Sequence, residues 1–187
     1  MSHVATPAGH RFPWYVRLIL RLQRRRYGRE LEPSRLWGRL PRAFLAMSLM
    51  YGVLDRKSSP IEPALRSLVQ VRVSQINGCA FCVDINAASS LGRGADGRKL
   101  AELARYADSG AFSEREKAAL RYAEAVTDSR TRTDAAMIAA LKSHFDDDAI
   151  IELTALIAYQ NMSSKFNAAL DVPAQGFCAL AGVRQPH

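Results

Sequence analysis

The amino-acid sequence predicts an all-α protein, a bundle of about seven to eight helices. Alanine, leucine and arginine are abundant among the 187 residues, and long runs of β-branched residues are absent, a balance that favours helix. Apolar residues recur at the three- and four-residue spacing of a helix face, and no segment alternates as a strand does. A chain of this length is expected to form one domain, with room for an appendage.

The N-terminal region is predicted to be an extension of the main domain. Residues 1–12 are expected to be disordered, and Pro13 opens a helix that runs to about Arg26. This helix is amphipathic. Its predicted apolar face consists of Tyr15, Leu18, Ile19 and Leu22, and its basic face of Arg17, Arg21, Arg24 and Arg25. The sequence therefore divides into residues 1–30, an arginine-rich extension, and residues 31–187, the helical domain.

Seven more helices are expected in the main domain. Pro33-Ser34 and Pro41 interrupt the chain before the first of them, and a turn is expected at Asn77-Gly78. The predicted ranges are 42–54, 61–75, 79–91, 97–107, 113–128, 133–145 and 147–170. The buried face of the 61–75 helix is expected to be Leu65, Leu68, Val69 and Val73. Two of these helices begin with a capping signal: the capping box Ser113–Glu116 precedes the 113–128 helix, and the acidic run Asp146–Asp148 begins the 147–170 helix.

The formal net charge of +8 does not indicate a nucleic-acid-binding domain. Ten arginines and only two acids lie between Arg11 and Arg42, whereas the remaining sequence carries sixteen basic and sixteen acidic residues. The main domain is therefore neutral and has no charge to steer nucleic acid. The basic helix can contact a membrane surface or an acidic partner, or pack on its own domain or a neighbouring subunit. We favour packing because surface helices with one charged face are common.

The cellular compartment predicted from the sequence is the cytoplasm. No stretch approaches the roughly 20 apolar residues that span a bilayer, and residues 1–10 lack the order of a secretory signal. Three cysteines, an odd number, do not form a disulfide framework of the extracellular kind.

The first candidate site is the pair Cys79 and Cys82, placed where the fourth helix begins. Three residues apart in a first helical turn, the two side chains share a face at roughly 5–6 Å between Cβ atoms. An unassisted thiol of pKa about 8.5 is only about 3% ionised at pH 7, and a helix N-terminus stabilises the thiolate. A redox dithiol, a structural zinc site, two inert buried cysteines and a permanent disulfide are the alternatives. Zinc lacks further ligands nearby, and a reducing compartment disfavours a permanent disulfide.

The segment around the pair resembles a known family. Residues 68–84, LVQVRVSQINGCAFCVD, are similar to the core motif of the alkylhydroperoxidase D (AhpD)-like, or carboxymuconolactone decarboxylase, family. Residues 161–167 and 171–177 resemble the usual ending of that family, so the likeness spans about residues 40–178. It implies an AhpD-like helical bundle that assembles as a trimer or hexamer, and peroxide reduction or disulfide exchange through the cysteine pair.

The resemblance also implies roles for individual residues. Cys82 would attack the peroxide, Cys79 would resolve the sulfenic acid, and an external dithiol carrier would reduce the resulting disulfide without metal or organic cofactor. The redox-active pattern has a glutamate and a histidine as proton relay at positions that hold Ser67 and Asn86 here. Neither side chain acts as a base at neutral pH, so slow turnover is expected. Asn86 can still hydrogen-bond the sulfur of Cys82, and Ser67 can hold a water.

The sequence thus predicts a cytoplasmic thiol-dependent oxidoreductase that reduces small hydroperoxides or exchanges disulfides. Two alternatives stay open. One is an oligomeric binding protein that has kept the fold without its chemistry, and the other is a lactone decarboxylase like the family's other namesake. Elsewhere, His144 is expected to cap a helix, Cys178 to be a single thiol, and Tyr106, Tyr122 and Tyr159 to lie in the core.

Overall fold

The computed structural model describes residues 2–180, with side chains to Cys178, and the described chain is helical without strands. The end of the predicted main domain, residues 181–187, lies outside the described residues. The helices are α1 (Trp14–Tyr27), α2 (Glu32–Trp37), α3 (Pro41–Leu54), α4 (Pro63–Ile76), α5 (Ala80–Gly92), α6 (Gly97–Glu102), α7 (Glu114–Thr127), α8 (Ala135–Lys142), α9 (Asp147–Ala169) and α10 (Phe177–Leu180). The predicted all-α class is confirmed.

The eight predicted helices are present, with three differences. The predicted 97–107 helix ends at Glu102 and continues as a 3-10 turn, Leu103–Arg105. The two short helices α2 and α10 were not predicted, because six and four residues are too few to show a helical period. The predicted caps are confirmed: Ser113 and Glu116 form a capping box, and the Asp146 side chain accepts the N–H of Ala149 at 2.7 Å.

The centre of the bundle is α4, which packs against α5, α7 and α9. The four apolar residues predicted to form its buried face, Leu65, Leu68, Val69 and Val73, are all buried. On α9, Leu153, Leu156 and Ile157 face the same core. Because α4 is covered on several sides, even its polar residues Arg66, Ser67, Gln70 and Ser74 are buried. The helix that precedes the cysteine pair is therefore held firmly.

The N-terminal residues 2–12 form no regular element, but the prediction of disorder is wrong. The backbone N–H of His3 donates to the carbonyl of Leu170 at 2.9 Å, and the Ser2 hydroxyl donates to Glu32 at 2.6 Å. These bonds tie the segment to the body of the protein at α2 and at the end of α9. Whether residues 1–30 form a separate unit remains a prediction.

Helix α1 packs on its own domain, through α3, with a face that matches the predicted one only in part. Of the predicted residues, Tyr15 and Ile19 are half-buried against the cluster that α1 forms with α3. Val16 and Leu20 are buried beside Phe44 of α3, whereas Leu18 and Leu22 are about half exposed. Apolar residues lie on both sides of α1, so the sequence period alone cannot decide which side is covered. No helix in the described part of the chain is long and apolar enough to cross a membrane.

Candidate redox site

The cysteine pair follows a tight turn between α4 and α5, as predicted. Gly78 adopts φ 64°, a left-handed conformation that glycine accepts at little cost. The side-chain amide of Asn77 donates to Asn161 at 2.9 Å and to Ser164 at 2.8 Å, both on α9. The turn is thus anchored to the longest helix of the bundle, which fixes where α5 begins.

Cys79 and Cys82 are joined by a disulfide, with their Cα atoms 5.3 Å apart, within the usual range for such bonds. Cys79 is the N-cap of α5, and its sulfur accepts the backbone N–H of Cys82 at 3.1 Å. Both residues are buried, at 1% and 2% exposure. The helix N-terminus predicted to stabilise a thiolate therefore acts first on the sulfur of Cys79.

The sulfur of Cys82 has a second hydrogen-bond donor that sequence reasoning missed. The side-chain amide of Asn167, buried on α9, donates to Cys82 Sγ at 3.2 Å. The only sequence signal was the presence of Asn167 in the segment that resembles the family's ending. Its pairing with a sulfur 85 residues away depends on how α9 crosses α5. In the reduced protein, an amide donor in this position hydrogen-bonds a thiolate better than a neutral thiol.

The two positions that differ from the redox-active pattern lie on either side of this site. Asn86 makes no hydrogen bond to the sulfur in this structure: its amide donates to the hydroxyl of Ser74 at 3.4 Å. Ser67 is completely buried on α4, and its hydroxyl has no hydrogen-bond partner among the described residues. Neither side chain hydrogen-bonds to a cysteine in the described chain.

A network of amides and hydroxyls occupies the centre of the site. The hydroxyl of Ser74 donates to the carbonyl of Gln70 at 2.6 Å and accepts from the side-chain amide of Gln160 at 2.9 Å. Asn86 donates to the same oxygen. These groups are neutral at all ordinary pH values. The network can hold side chains in place, but it cannot take up a proton from a thiol.

A cavity of about 370 Å³ reaches the pair from the side of α1 and α3, a volume at the lower end of the range for small-molecule sites. Cys82 lines this cavity and Cys79 does not. The described lining residues include one charged side chain, Arg26, and no aspartate, glutamate or histidine. Six aromatic residues line it: Tyr27, Trp37, Phe44, Tyr51, Phe81 and Tyr159.

Two tyrosines of the cavity wall are poor acids. Burial, reinforced by the charge of Asp55, raises the pKa of Tyr51 to about 12. Burial also raises the pKa of Tyr159 to about 12, and its hydroxyl donates to the carbonyl of Met47 at 3.3 Å. Tyr159 is thus half-buried in the wall and not part of the closed core, where Tyr106 and Tyr122 do lie as predicted. Neither Tyr51 nor Tyr159 changes charge near neutral pH.

The remaining candidates lie outside the cavity. Cys178 is buried, and burial together with Asp84 raises the pKa of its thiol. The Asp84 carboxylate accepts the backbone N–H groups of Gln175, Phe177 and Cys178. It therefore holds the segment that leads into α10. His144 follows the end of α8, and its carbonyl accepts a hydrogen bond from Arg115.

Comparison with known proteins shows the family. The model of the carboxymuconolactone decarboxylase family matches residues 41–125. The uncharacterized protein YnjA of Escherichia coli K12 is 45% identical over 169 residues, which cover 88% of this chain and 93% of YnjA. The chain belongs to the carboxymuconolactone decarboxylase family, in its AhpD-like branch with a CxxC pair.

Solved structures share the whole fold. The AhpD core of a peroxidase-related protein from Ralstonia eutropha JMP134 superposes with a TM-score of 0.86 at 20% identity, covering 98% of both chains. A putative antioxidant defence protein AhpD from Agrobacterium tumefaciens gives a TM-score of 0.67 at 28% identity and covers 72% of this chain and 91% of its own. The predicted AhpD-like helical bundle is confirmed.

Proposed function

We propose that this protein is a thiol-dependent peroxidase that reduces organic hydroperoxides through Cys82 and Cys79. The observation that carries the proposal is the placement of the Cys82 sulfur in the wall of an apolar cavity, bonded to Cys79, which lies behind it. A substrate in the cavity meets Cys82 first. This favours Cys82 as the attacking residue and Cys79 as the resolving one, the roles that the family resemblance implies.

The chemistry needs no group beyond the two thiols and the substrate. The Cys82 thiolate attacks the terminal oxygen of the hydroperoxide, the O–O bond breaks, and the alcohol leaves with a proton while Cys82 becomes a sulfenic acid. The Cys79 sulfur then attacks the Cys82 sulfur, and water leaves as the disulfide forms. The two thiols lose two protons and two electrons, and the hydroperoxide takes them up to become alcohol and water. An external dithiol returns the disulfide to two thiols.

Activation of Cys82 relies on hydrogen bonding and not on a base. Asn167 donates to the sulfur of Cys82. Cys82 itself lies in the first turn of α5, and the partial positive charge at that helix N-terminus favours an anion. The neutral groups at the Ser67 and Asn86 positions cannot accept the thiol proton. We therefore expect a lower rate at neutral pH than a glutamate–histidine relay allows. Disulfide exchange with a small dithiol substrate is compatible with the same site.

The partners that we propose are a dithiol carrier protein and further copies of this chain. Helix α3 exposes Leu49, Met50 and Val53 at 63%, 45% and 63%, an apolar face that supports assembly into a homo-oligomer such as a trimer or hexamer. No metal or organic cofactor enters the proposed reaction. Mass measurement by light scattering tests the assembly, and a monomer at micromolar concentration would contradict it.

The activity is tested by comparing wild type with single serine variants of the three cysteines. Reduced protein is mixed with cumene hydroperoxide, and intact mass follows the loss of two hydrogens. The Cys178→Ser variant, which lacks the thiol outside the cavity, is the matched control and should form the disulfide at the wild-type rate. Cys79→Ser should stop at a sulfenic acid on Cys82 that a dimedone probe captures, and Cys82→Ser should not react.

Two results would favour the alternatives. If reduced wild-type protein ignores the hydroperoxide while the thiols remain alkylatable, the fold has kept a binding role without this chemistry. If Cys82→Ser retains a decarboxylation activity, the lyase interpretation gains support. The cavity wall, however, offers that interpretation no acidic or histidine side chain among the described residues.

A further inference from the structure

The cavity has an unusual charge balance. Arg26 is its one charged lining residue in the described chain, and the described residues give this guanidinium no acidic partner. It lies 5.5 Å from the centre of the Tyr27 ring, and the residue is exposed. The face of an aromatic ring attracts a cation and limits where it can turn. The positive charge is thus held in the cavity wall, on a residue that solvent also reaches.

Residues of the cavity wall also carry buried polar atoms that have no hydrogen-bond partner among the described residues. The indole N–H of Trp37 is buried and makes no hydrogen bond with the described residues, and neither does the side-chain oxygen of Gln23. Buried polar groups are usually paired, because an unpaired one has lost water without replacement. The side-chain oxygen of Asn167 is a third such atom. All three atoms are shielded from solvent, so the groups that a ligand meets in the cavity are Arg26 and the aromatic rings.

Two further arginines, Arg66 and Arg93, share one aspartate near Tyr51, a residue of the cavity wall. Asp55 pairs with Arg66 at 3.4 Å and with Arg93 at 2.6 Å. One carboxylate between two guanidinium groups leaves one positive charge in excess. Arg93 and Arg26 both lower the pKa of Tyr51, against the larger opposing effect of its burial. Asp55 acts on Tyr51 more strongly than either arginine does, so the positive charge that the cavity itself offers to an anion is that of Arg26.

Apolar groups make up the larger part of the cavity wall, beside polar side chains such as Gln23 and Gln70. Tyr27, Phe44 and Phe81 contribute aromatic rings to this wall. Trp37 also lines it and stacks on Phe166, with ring centres 3.9 Å apart. Rings held in this way present flat faces that suit another ring or an aliphatic chain. We propose that the preferred ligands of the cavity are apolar or aromatic compounds that carry a carboxylate. The carboxylate binds Arg26, and the apolar part extends towards Cys82.

This inference rests on the proposed function only for the reacting group, since the binding can be measured without any reaction. The probes are 4-(2-hydroxypropan-2-yl)benzoic acid and its methyl ester, which share a ring and differ in charge. They are titrated into the oxidised full-length protein by calorimetry. Wild type should bind the acid more tightly than the ester, and added salt should weaken binding of the acid but not of the ester.

The variant Arg26→Ala should weaken binding of the acid by about 5- to 10-fold, the effect of one partly solvated charge pair. Its effect on the ester should stay within about twofold. Arg25→Ala removes the same charge from the neighbouring position, which is exposed and does not line the cavity, and is the matched control. It should change binding of the acid by no more than about twofold, because charge at a distance is screened.

Equal binding of acid and ester by the wild type would overturn the inference, and so would equal losses in Arg25→Ala and Arg26→Ala. The corresponding pair of hydroperoxides is then given to reduced protein. If neither oxidises the cysteines while the acid still binds through Arg26, the proposed peroxidase is wrong and the ligand class stands. If both hydroperoxides oxidise the cysteines at the same rate and the acid binds no more tightly than the ester, the peroxidase proposal stands and the proposed ligand class is wrong.

Discussion

The hydrogen bond from Asn167 to Cys82 gives the sharpest test of how this site activates a thiol. In Asn167→Ala the sulfur loses a buried amide donor that lies 3.2 Å away. A hydrogen bond to a charged group contributes about 1.5–3 kcal/mol, and one pKa unit corresponds to 1.36 kcal/mol. Removing the donor should therefore raise the pKa of the Cys82 thiol by about 1–2 units.

The assay is the pH dependence of alkylation of reduced protein, with each cysteine resolved by peptide mass spectrometry. Asn86→Ala is the matched control, because it removes an amide from the cavity wall that bonds Ser74 and not the sulfur. It should leave the pKa of Cys82 within about 0.3 unit. The reasoning fails if Asn167→Ala leaves that pKa unchanged, or if both variants shift it equally.

Three other predictions follow from the same structure. The rate of reaction with hydroperoxide should rise with pH through a single ionisation to a plateau, because the pKa values of Tyr51 and Tyr159 lie at about 12; a bell-shaped profile near neutrality would contradict this. Asn86→His should raise the rate at pH 7 by about 10-fold, since it adds a base near Cys82, and stopped-flow oxidation would show no gain if the relay position is inactive. Leu153→Ala should lower the free energy of unfolding by about 2–5 kcal/mol in urea titration, whereas Ile151→Ala, 67% exposed on the same helix, should change it by less than about 0.5 kcal/mol.

The helices and the cysteine turn could be predicted because their signals are local. Apolar spacing, capping residues and breaks such as Asn77-Gly78 act within a few residues, so each helix of eight or more residues was found. Helices α2 and α10 were not found, because their stability comes from contacts with distant parts of the chain. The buried face of α1 was predicted only in part, since apolar residues lie on both of its sides.

The candidate site was predicted only in part, for a related reason. The spacing of Cys79 and Cys82 indicates a pair that shares a helix face, and the lack of acid or histidine at positions 67 and 86 is visible without a structure. The donor to Cys82 lies on another helix, so no local pattern points to Asn167. The same holds for Arg26, which the sequence places merely on a basic helix.

What the sequence determined by itself is the all-helical class, the order of the helices and the position of a cysteine pair at a helix start. These follow from propensities and periodicities that each segment carries alone. Only the tertiary structure decided that Cys82, and not Cys79, faces the cavity, and that Arg26 lines the same cavity. Such relations depend on how helices cross, and crossing is set by packing between side chains far apart in the chain.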